Sequence, residues 1–545
     1  MKRYKSILSS FLIATMAFSS CTELEDENYS QIITSQFDPQ GDDLGALVGA
    51  AYVSWRPLMI GRSNNSIYRT NEISSDELVI PARPNGWVDG GMYRRVHEHR
   101  WTADDANSSE IWNRAYAGIT ACNRIIFQIE SGSLPITDAK AIETTLAELK
   151  VLRASYYYAL CDFFGNVPII TRFDVPDGFL PEQSSRQEVF NFIVKEITDN
   201  LPLLSDQNDL STYGKFNQWA AHGLLAKLYL NAEVYTGTPA WDKCIEHANA
   251  IINSGAGFML EPVQANVFRT NNEGSKEIVF AIPFDEKYTP DWENAWTLHM
   301  ETLQPANQAT YNFQGSPWGG ICAVPQFVDT FDPDDQRLKS TWIQGQQFTS
   351  TGAILNGTMG AYAGRPLIYI NELPGVDLSE EGHGFRIGKY EFAQGALVGL
   401  SNDFPMIRYA DVLMMKAESL LRSGQADAAA ELVTQVRQRS FAANPTKATV
   451  TGAQLQQGST YDYGLRNHQR STTEGGANVQ YGRFLDELGW EFAAEGRRRQ
   501  DMIRFGVFTT KSWLSHVPNG DYRKLLPIPR VQLERNPNLS QNPGY

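Results

Sequence analysis

Two stretches of the 545-residue chain place aromatic rings beside glycines and hydrogen-bonding side chains. The first is Asn85–Tyr93, with Trp101 a little further on, and the second is Tyr288–Gly320. Exposed rings can stack on a flat apolar ligand face while nearby amides and carboxylates bind its polar rim. Sugars have such C–H faces and hydroxyl rims, so both stretches are typical of a sugar site. The residues predicted to contact this ligand are Trp87, Asp89, Tyr93, Trp101, Trp292, Asn294, Trp296, Tyr311 and Trp318.

Burial in the core is the competing expectation for each tryptophan, because Trp side chains are on average highly buried. Tryptophan next to glycine, as at Trp87 and Trp318, is often carried by an exposed loop. We therefore expect at least one of Trp87, Trp292, Trp296 and Trp318 to contact ligand.

Other groups that could do chemistry are less specific. His97 and His99 would share one face of a strand, but no third metal ligand follows at a recognisable spacing, so a polar surface strand is expected. Residues 332–335 (Asp-Pro-Asp-Asp) lack the glycine and final glutamate of a calcium loop, so a turn or helix start is expected. GxSxG, HExxH and phosphate-loop motifs are absent from the sequence. We predict no metal, no cofactor and no catalytic residue.

The segment Gly482–Gly506 predicts a pair of helices with one apolar stripe. Phe484, Leu485, Leu488 and Phe492 recur at three- and four-residue steps, which is the period of a helix face. The charged residues that follow allow two interpretations. They are either a solvated face of weak ion pairs or a buried network that fixes the end of the chain.

Helical spacing indicates which charges in this segment can meet. Glu495 could reach Arg498 or Arg499, and Asp501 could reach Arg497, Arg498 or Arg504. Spacing alone leaves both interpretations open; a buried network would lie where the last helices meet the proline-rich tail. The residues assigned to it are Glu491, Glu495, Arg498, Asp501 and Arg504.

The N-terminus predicts export. Lys2, Arg3 and Lys5 precede an apolar run at residues 7–18, which is too short to span a bilayer. Small residues then lead to Cys21, as in a bacterial lipobox, where the cysteine is lipidated; a plain secretory signal is the alternative. The acidic residues after Cys21 resemble the surface-export signal of Bacteroidetes lipoproteins. We expect a protein held on the outside of the outer membrane only through lipid on Cys21.

Net charge and cysteine content limit which ligands and cross-links are expected. The net charge of −15 argues against nucleic acid, whose binding depends on Lys and Arg at the phosphates. The four cysteines after Cys21 are far apart and include no CxxC pair, so zinc is not expected. Cys122 and Cys161 fall in consecutive predicted helices and could face each other, although nothing in their spacing indicates a disulfide.

Helices are predicted in two blocks with irregular stretches between them. Residues 60–110 are expected to be loops with short strands, and 258–404 an irregular insertion with a strand at Glu277–Pro283. The proline-rich tail is expected to be extended. The predicted helices are Gly45–Ser54, Ile111–Ile129, Ile142–Phe164, Ser185–Asn200, a helix capped by Asn217 that runs to Tyr235, Trp241–Ser254, Tyr409–Ser423 and Ala426–Phe441.

Four motifs in order resemble the SusD/RagB family of surface lipoproteins. They are Phe164–Ile170 (FGNVPII), Asn402–Glu418, Glu491–Gly506, and the closing pair Leu525–Pro529 with Asn536–Tyr545. The resemblance covers nearly the whole chain. Departures from the family pattern occur at Leu488, where the family often has Arg, and at Arg499 and Gln500, which replace an aromatic pair.

The resemblance implies a mostly α fold in which tetratricopeptide-like helical pairs form a superhelical scaffold with large irregular inserts. The helical hairpin around residues 423–424 is similar to such a unit, although no strict 34-residue repeat is visible. One domain is expected over 41–545, after a signal peptide at 1–20 and a lipidated tether at 21–40. Its scaffold is expected at about 41–59, 111–257 and 405–545, with ligand-binding inserts at about 60–110 and 258–404.

Members of this family bind glycans, or in some cases peptides, and act with a TonB-dependent outer-membrane transporter of the SusC type, over which they sit as a lid. They are not known as enzymes. The resemblance therefore implies a glycan-binding uptake lipoprotein. A peptide-binding (RagB-like) lipoprotein is the alternative. A glycoside hydrolase is the remote alternative, because in so acidic a chain pairs of carboxylates are common and do not by themselves indicate a catalytic pair. The matched motifs belong to the scaffold, so no binding residue is transferred from them. Because Glu491–Gly506 is one of these motifs, the resemblance favours the buried network over the solvated face.

Overall fold

The computed structural model describes residues 43–60, 65–289 and 294–545. The predicted signal peptide, the tether with Cys21, and Trp292 lie outside these ranges. In the part of the chain that is described, no helix has both the length and the apolar composition that crossing a bilayer requires.

The described residues fold mainly into helices. The helices are α1 (Asp43–Tyr52), α2 (Trp55–Met59), α3 (Ile67–Ile73), α4 (Met92–His97), α5 (Ala106–Glu130), α6 (Ala139–Phe163), α7 (Arg186–Asn200), α8 (Gln218–Leu230), α9 (Ala232–Thr236), α10 (Trp241–Ile252), α11 (Leu298–Thr302), α12 (Gln308–Tyr311), α13 (Pro325–Val328), α14 (Gln336–Thr341), α15 (Tyr409–Arg422), α16 (Ala426–Arg437), α17 (Gly452–Leu455), α18 (Gly482–Phe492), α19 (Arg498–Arg504) and α20 (Arg530–Arg535).

The long helices pack side by side in a continuous series. Helix α5 packs on α6, α6 on α7, α8 on α10, α10 on α15, and α15 on α16. Close approach of α5 and α6 depends on Gly118, where an added Cβ would lie 2.3 Å from the Tyr156 ring. The predicted scaffold of paired helices is confirmed, because apolar stripes read from the sequence are the faces buried between these pairs.

The ends of the helices follow local sequence signals. Ser185 and Glu188 form a capping box at the start of α7, and Asn217 accepts a hydrogen bond from the Ala220 N–H at the start of α8. Gly165, with φ +72°, ends α6. Each of these boundaries was predicted, because caps depend on residues within one turn.

The strands are short and pair in twos. Within the described residues the antiparallel pairs are β1 (Leu78–Val79) with β5 (Cys322–Ala323), β2 (Val167–Pro168) with β3 (Gln183–Ser184), β4 (Ile278–Ile282) with β10 (Phe404–Arg408), β6 (Trp342–Ile343) with β9 (Arg386–Ile387), and β7 (Gly345–Gln346) with β8 (Ile368–Tyr369). The predicted strand at 277–283 is therefore confirmed as β4. Because β10 leads directly into α15, this pair joins the irregular insertion to the scaffold.

The predicted polar surface strand at His97 and His99 is wrong. His97 ends α4, and both imidazoles are fully buried. His99 has a φ of +52°, which turns its side chain inward, and its Nε2 lies 2.6 Å from the Ser74 carbonyl oxygen. Helices α3 and α4 also show that residues 60–110 are more helical than predicted. In contrast, Asp335 begins α14 by accepting from the Arg337 N–H, as predicted for a helix start.

The charged segment near the C-terminus forms α18 and α19, as predicted, and its charges are buried. Glu491 accepts hydrogen bonds from Arg337 (3.0 Å), Arg408 (2.8 Å) and Arg439 (2.7 Å). Glu495 pairs with Arg408 (2.8 Å) and Lys389, and not with Arg498 or Arg499 as spacing suggested. The helix breaks at residues 493–497, so helical neighbour spacing does not hold across the break.

The remaining charges of the segment also have buried partners. Asp501 accepts from Arg497 (2.9 Å) and Arg504 (2.6 Å), as predicted. Arg498 instead donates to Asp76, at 2.7 Å. The network therefore joins α18 and α19 to α15, α16 and the insertion more than to the tail.

Two further expectations are settled by the fold. All four cysteines within the described residues are buried and free, so Cys122 and Cys161 form no disulfide. The tail is not extended throughout, because α20 begins directly after Pro529, whose φ of −58° suits the start of a helix.

Candidate ligand-binding surface

Three of the predicted aromatic residues form one cluster. The Trp87 and Trp318 ring centroids lie 6.0 Å apart with the ring planes at 76°, and Trp87 meets Tyr93 edge to face at 5.3 Å. Trp87 and Trp318 are half-buried and keep part of their rings at the surface, whereas the Tyr93 ring is buried. We call Trp87, Tyr93 and Trp318, with Asn85 and Asp89 beside them, the tryptophan cluster.

Backbone contacts hold the cluster over α11. The Trp318 N–H donates to the Met300 carbonyl at 2.6 Å, and the Gly320 N–H donates to the Glu301 carbonyl at 2.8 Å. Gly320 is required for the packing, because a Cβ there would lie 2.2 Å from a ring carbon of Trp87. The glycine thus lets the Trp87 ring lie directly against the backbone.

Two side chains tie the segments of the cluster to each other and to α3. Asn85 Nδ2 donates to the Gly319 carbonyl at 2.7 Å, which links the two aromatic stretches. Below them, the buried Arg69 donates through Nε to Glu301 Oε2 at 2.8 Å. Burial alone would lower the pKa of Arg69, but the Glu301 carboxylate raises it above its usual value. The Arg69 guanidinium therefore stays charged, and its pair with Glu301 fixes α11 to α3.

The polar edge of the cluster is formed by Asp89 and Tyr93. The Tyr93 hydroxyl donates to Asp89 Oδ2 at 2.9 Å. Burial raises the pKa of Tyr93 well above its usual range, although the Arg69 charge opposes this. The phenol is therefore neutral and a donor, and the exposed Asp89 carboxylate is an acceptor at the rim of the rings.

A second aromatic group surrounds Tyr311. Its ring stacks on Phe313 at 5.0 Å and 11°, and Phe313 packs on His299 of α11 at 4.9 Å. Next to it, Asn312 Nδ2 donates to Gln394 Oε1 at 3.1 Å, and both amides are exposed. Both aromatic groups therefore rest on α11, one through Met300 and the other through His299.

Two predicted contacts are core residues instead. Trp101 is 1% exposed and donates from Nε1 to the Tyr545 hydroxyl at 2.6 Å. Trp296 is also 1% exposed and packs on Tyr390 at 4.7 Å. Neither ring has a face for a ligand, because tertiary packing covers both. Asn294 is half-buried at the edge of the residues that are not described.

Sequence reasoning did not identify Gln394 and Ser350, which both bond to Asn312, as candidates. The Ser350 hydroxyl donates to Asn312 Oδ1 at 3.2 Å. These residues come from separate loops that contain no tryptophan, so composition did not single them out.

The site offers no preformed metal centre. In residues 43–60, 65–289 and 294–545, no three His, Cys, Asp or Glu side chains are grouped so that they could hold a metal ion. What the surface offers is aromatic faces, amides and a carboxylate, which suit a neutral polyhydroxylated ligand.

Family models match most of the chain. The model described as the SusD family matches residues 276–545, and the model described as "Starch-binding associating with outer membrane" matches residues 57–230.

Relatives match over their full length. The starch-binding protein SusD of Bacteroides thetaiotaomicron is 24% identical over 100% of this chain and 99% of its own. The SusD-like protein P25 of Formosa agariphila is 23% identical over 100% of both chains.

Solved structures share the fold. A laminarin-binding SusD-like protein superposes with a TM-score of 0.69 at 20% identity, covering 93% of this chain and 99% of its own. Surface glycan-binding protein A from Bacteroides thetaiotaomicron in complex with laminarihexaose gives 0.66 at 18% identity, covering 92% and 98%. The predicted SusD-like helical fold is confirmed, and the chain belongs to the SusD family.

Proposed function

We propose that the protein is a non-catalytic lipoprotein of the outer-membrane surface that binds oligosaccharide and delivers it to a TonB-dependent transporter. The observation that carries the binding part is the tryptophan cluster, in which Trp87 and Trp318 keep ring surface exposed beside Asp89 and Asn85. Stacking on the rings would provide most of the affinity, and the polar rim would orient the hydroxyls.

The angle between the rings favours a bent ligand. Because the planes of Trp87 and Trp318 differ by 76°, a flat, straight chain could not stack on both rings at once. A glycan that turns between neighbouring units could. A relative named as starch-binding and a structural neighbour named as laminarin-binding support a glycan ligand.

Removing either ring is expected to weaken binding without unfolding the protein. Trp87→Ala and Trp318→Ala should each lower the affinity for the preferred glycan at least about tenfold, or roughly 1.4 kcal/mol, since each removes a stacking face. Gly320→Ala should act like Trp87→Ala because it displaces the Trp87 ring. A glycan array followed by titration calorimetry measures the effect.

The matched control is Trp241→Ala, which removes a half-buried tryptophan from α10, outside both aromatic groups. Its affinity should equal that of the wild type. Unchanged binding by all three site variants would reject the tryptophan cluster as the site. A folded protein that binds no glycan of a broad panel would reject the glycan proposal and favour the peptide-binding alternative.

The lipobox at Cys21 supports the proposed lipid anchor. The description of the second family model, which names association with the outer membrane, supports the proposed transporter partner. Purification from detergent-solubilised outer membrane should recover the protein together with a large TonB-dependent barrel. Cys21→Ser should release the protein from the membrane fraction. Recovery of the wild-type protein alone under mild conditions would contradict the transporter partnership.

A further inference from the structure

Two buried glutamates meet the break between α18 and α19. Glu72 belongs to α3 and Glu77 directly precedes β1, and both side chains are fully buried. Glu72 Oε1 accepts a hydrogen bond from the Arg497 N–H at 3.0 Å, and Glu77 Oε1 accepts one from the Ala494 N–H. Both N–H groups lie in the break, where the helical hydrogen bonds are interrupted. The two carboxyl groups therefore replace backbone partners that the break removes.

The second oxygen of each carboxyl group lacks a donor. Glu72 Oε2 and Glu77 Oε2 are buried and accept no hydrogen bond from any N–H or hydroxyl group of the described residues. The two carboxyl groups lie within hydrogen-bonding reach of each other. Two carboxylates cannot form that bond, because both have only acceptors, whereas a protonated carboxyl group donates. We propose that Glu72 and Glu77 share one proton, and that this acid–carboxylate pair holds α3 against the α18–α19 break.

The nearest cations have other partners. Arg498 of α19 acts on both carboxyl groups, but its guanidinium donates to Asp76 at 2.7 and 3.0 Å. The other cations around the break are also paired, Arg497 with Asp411 and Asp501, and Lys389 and Arg408 with Glu495. Within the described residues no salt bridge reaches Glu72 or Glu77. A proton is thus the charge that can compensate two buried carboxyl groups here.

The remaining titratable neighbours favour the same state. The hydroxyls of Tyr68 and Tyr390 each donate to the Ala494 carbonyl at 3.2 Å, and burial keeps both phenols neutral by raising their pKa. Burial raises the pKa of Glu72 to about 7, although Arg498 and the backbone donors oppose this. Burial and the Glu72 charge raise the pKa of Glu77 well above its usual value. The other acids that act on these tyrosines are Glu301 on Tyr68 and Glu495 on Tyr390.

A shared proton makes stability depend on pH in a defined direction. Unfolded glutamates ionise near about pH 4.3, so above about pH 5.5 the unfolded chain has lost both protons while the folded pair retains one. Stability through this pair therefore falls as pH rises, until the folded pair is ionised. From about pH 5.5 to about pH 7 the pair should raise the unfolding equilibrium constant about tenfold per pH unit. Loss of the proton would leave two buried carboxylates that repel each other.

Urea unfolding of the full chain across this pH range tests the pair. In Glu72→Gln and Glu77→Gln, glutamine keeps an oxygen for the backbone N–H and supplies an N–H in place of the shared proton. The unfolding constant of the wild type, divided by that of either variant, should therefore rise about tenfold per pH unit. Buried histidines such as His97 and His99 titrate alike in all three proteins and cancel in this ratio.

Glu143→Gln is the matched control, because Glu143 is an exposed glutamate of α6 and should leave the wild-type slope unchanged. Infrared difference spectra with isotope-labelled glutamate give a second readout. At about pH 6.5 the wild type should show the C=O band of a protonated glutamic acid, and each pair variant should lose that band.

Equal slopes for the wild type and both pair variants would overturn the proposal, and so would a wild-type spectrum without the glutamic acid band. The wild-type spectrum is sufficient for this even if a variant fails to fold. None of these measurements involves a glycan, so their outcome is independent of the proposed function.

Discussion

Glu491→Ala is expected to lower the free energy of unfolding by about 3–5 kcal/mol. The Glu491 carboxylate is fully buried and accepts from Arg337, Arg408 and Arg439. Although burial raises its pKa, these guanidinium groups lower it far below the usual range. Alanine would leave positive charge buried with less compensation, because Arg408 and Arg439 would then share Glu277.

Urea unfolding at neutral pH measures this change. Glu143→Ala is the matched control, since Glu143 forms an exposed pair with Lys140 and should change stability by less than about 0.5 kcal/mol. Glycan affinity of the folded Glu491→Ala protein should be close to that of the wild type. A loss below about 1 kcal/mol would show that the network contributes little to stability.

Acidification from about pH 7 to about pH 4 is expected to destabilise the protein through three buried histidines. Burial lowers the pKa of His97 to about 4 and that of His99 to about 3. The pKa of His516 is also lowered by burial, and the charges of neighbouring histidines and Arg100 add to this. Arg499 and Arg523 act on His99 in the same direction.

The direction in which stability changes with pH follows from proton uptake by the folded and unfolded states. An unfolded histidine titrates near pH 6.5, whereas the folded ones stay neutral to much lower pH. Below pH 6.5 the unfolded state therefore binds more protons, so stability is complete above that pH and falls as pH decreases towards the folded pKa values. His97 and His99 are each expected to cost roughly 3 kcal/mol by pH 4, and His516 adds to the loss in the same direction.

Unfolding curves at stepped pH values measure this effect as a difference between variants. His99→Gln retains a donor near the Ser74 carbonyl and removes the titrating group, so its stability should depend less steeply on pH. His468→Gln, at an exposed position, should keep the wild-type slope. Equal slopes for wild type and His99→Gln would contradict the assignment. Carboxyl groups with altered pKa values contribute to all three proteins alike and cancel in the comparison.

Local sequence signals were sufficient to predict the helices of the scaffold. Ser185 and Asn217 cap their helices where the sequence predicted, because capping involves only the next three residues. The buried charge network was predicted, and so were the partners of Asp501, but the partners of Glu495 and Arg498 were not. Glu495 pairs with Arg408, 87 positions earlier, and a contact at that separation leaves no trace in a single sequence.

The candidate ligand-binding surface was predictable only in part, for a related reason. Composition singled out Trp87 and Trp318, which keep exposed ring surface, together with Trp101 and Trp296, which do not. Tryptophans in similar sequence contexts are thus found both in the core and at the surface. What separates them is packing against distant elements, such as Tyr545 for Trp101 and Tyr390 for Trp296.

Arg408 has a consequence for how the molecule responds to load. It ends β10, precedes α15, and pairs with Glu277 before β4 and with Glu491 and Glu495 near α18. The insertion and the helical scaffold are therefore joined by buried ion pairs, several of which converge on the Arg408 guanidinium. A force applied to the insertion would be transmitted to the helical scaffold through these buried pairs, so we expect the two parts to move together as one rigid body.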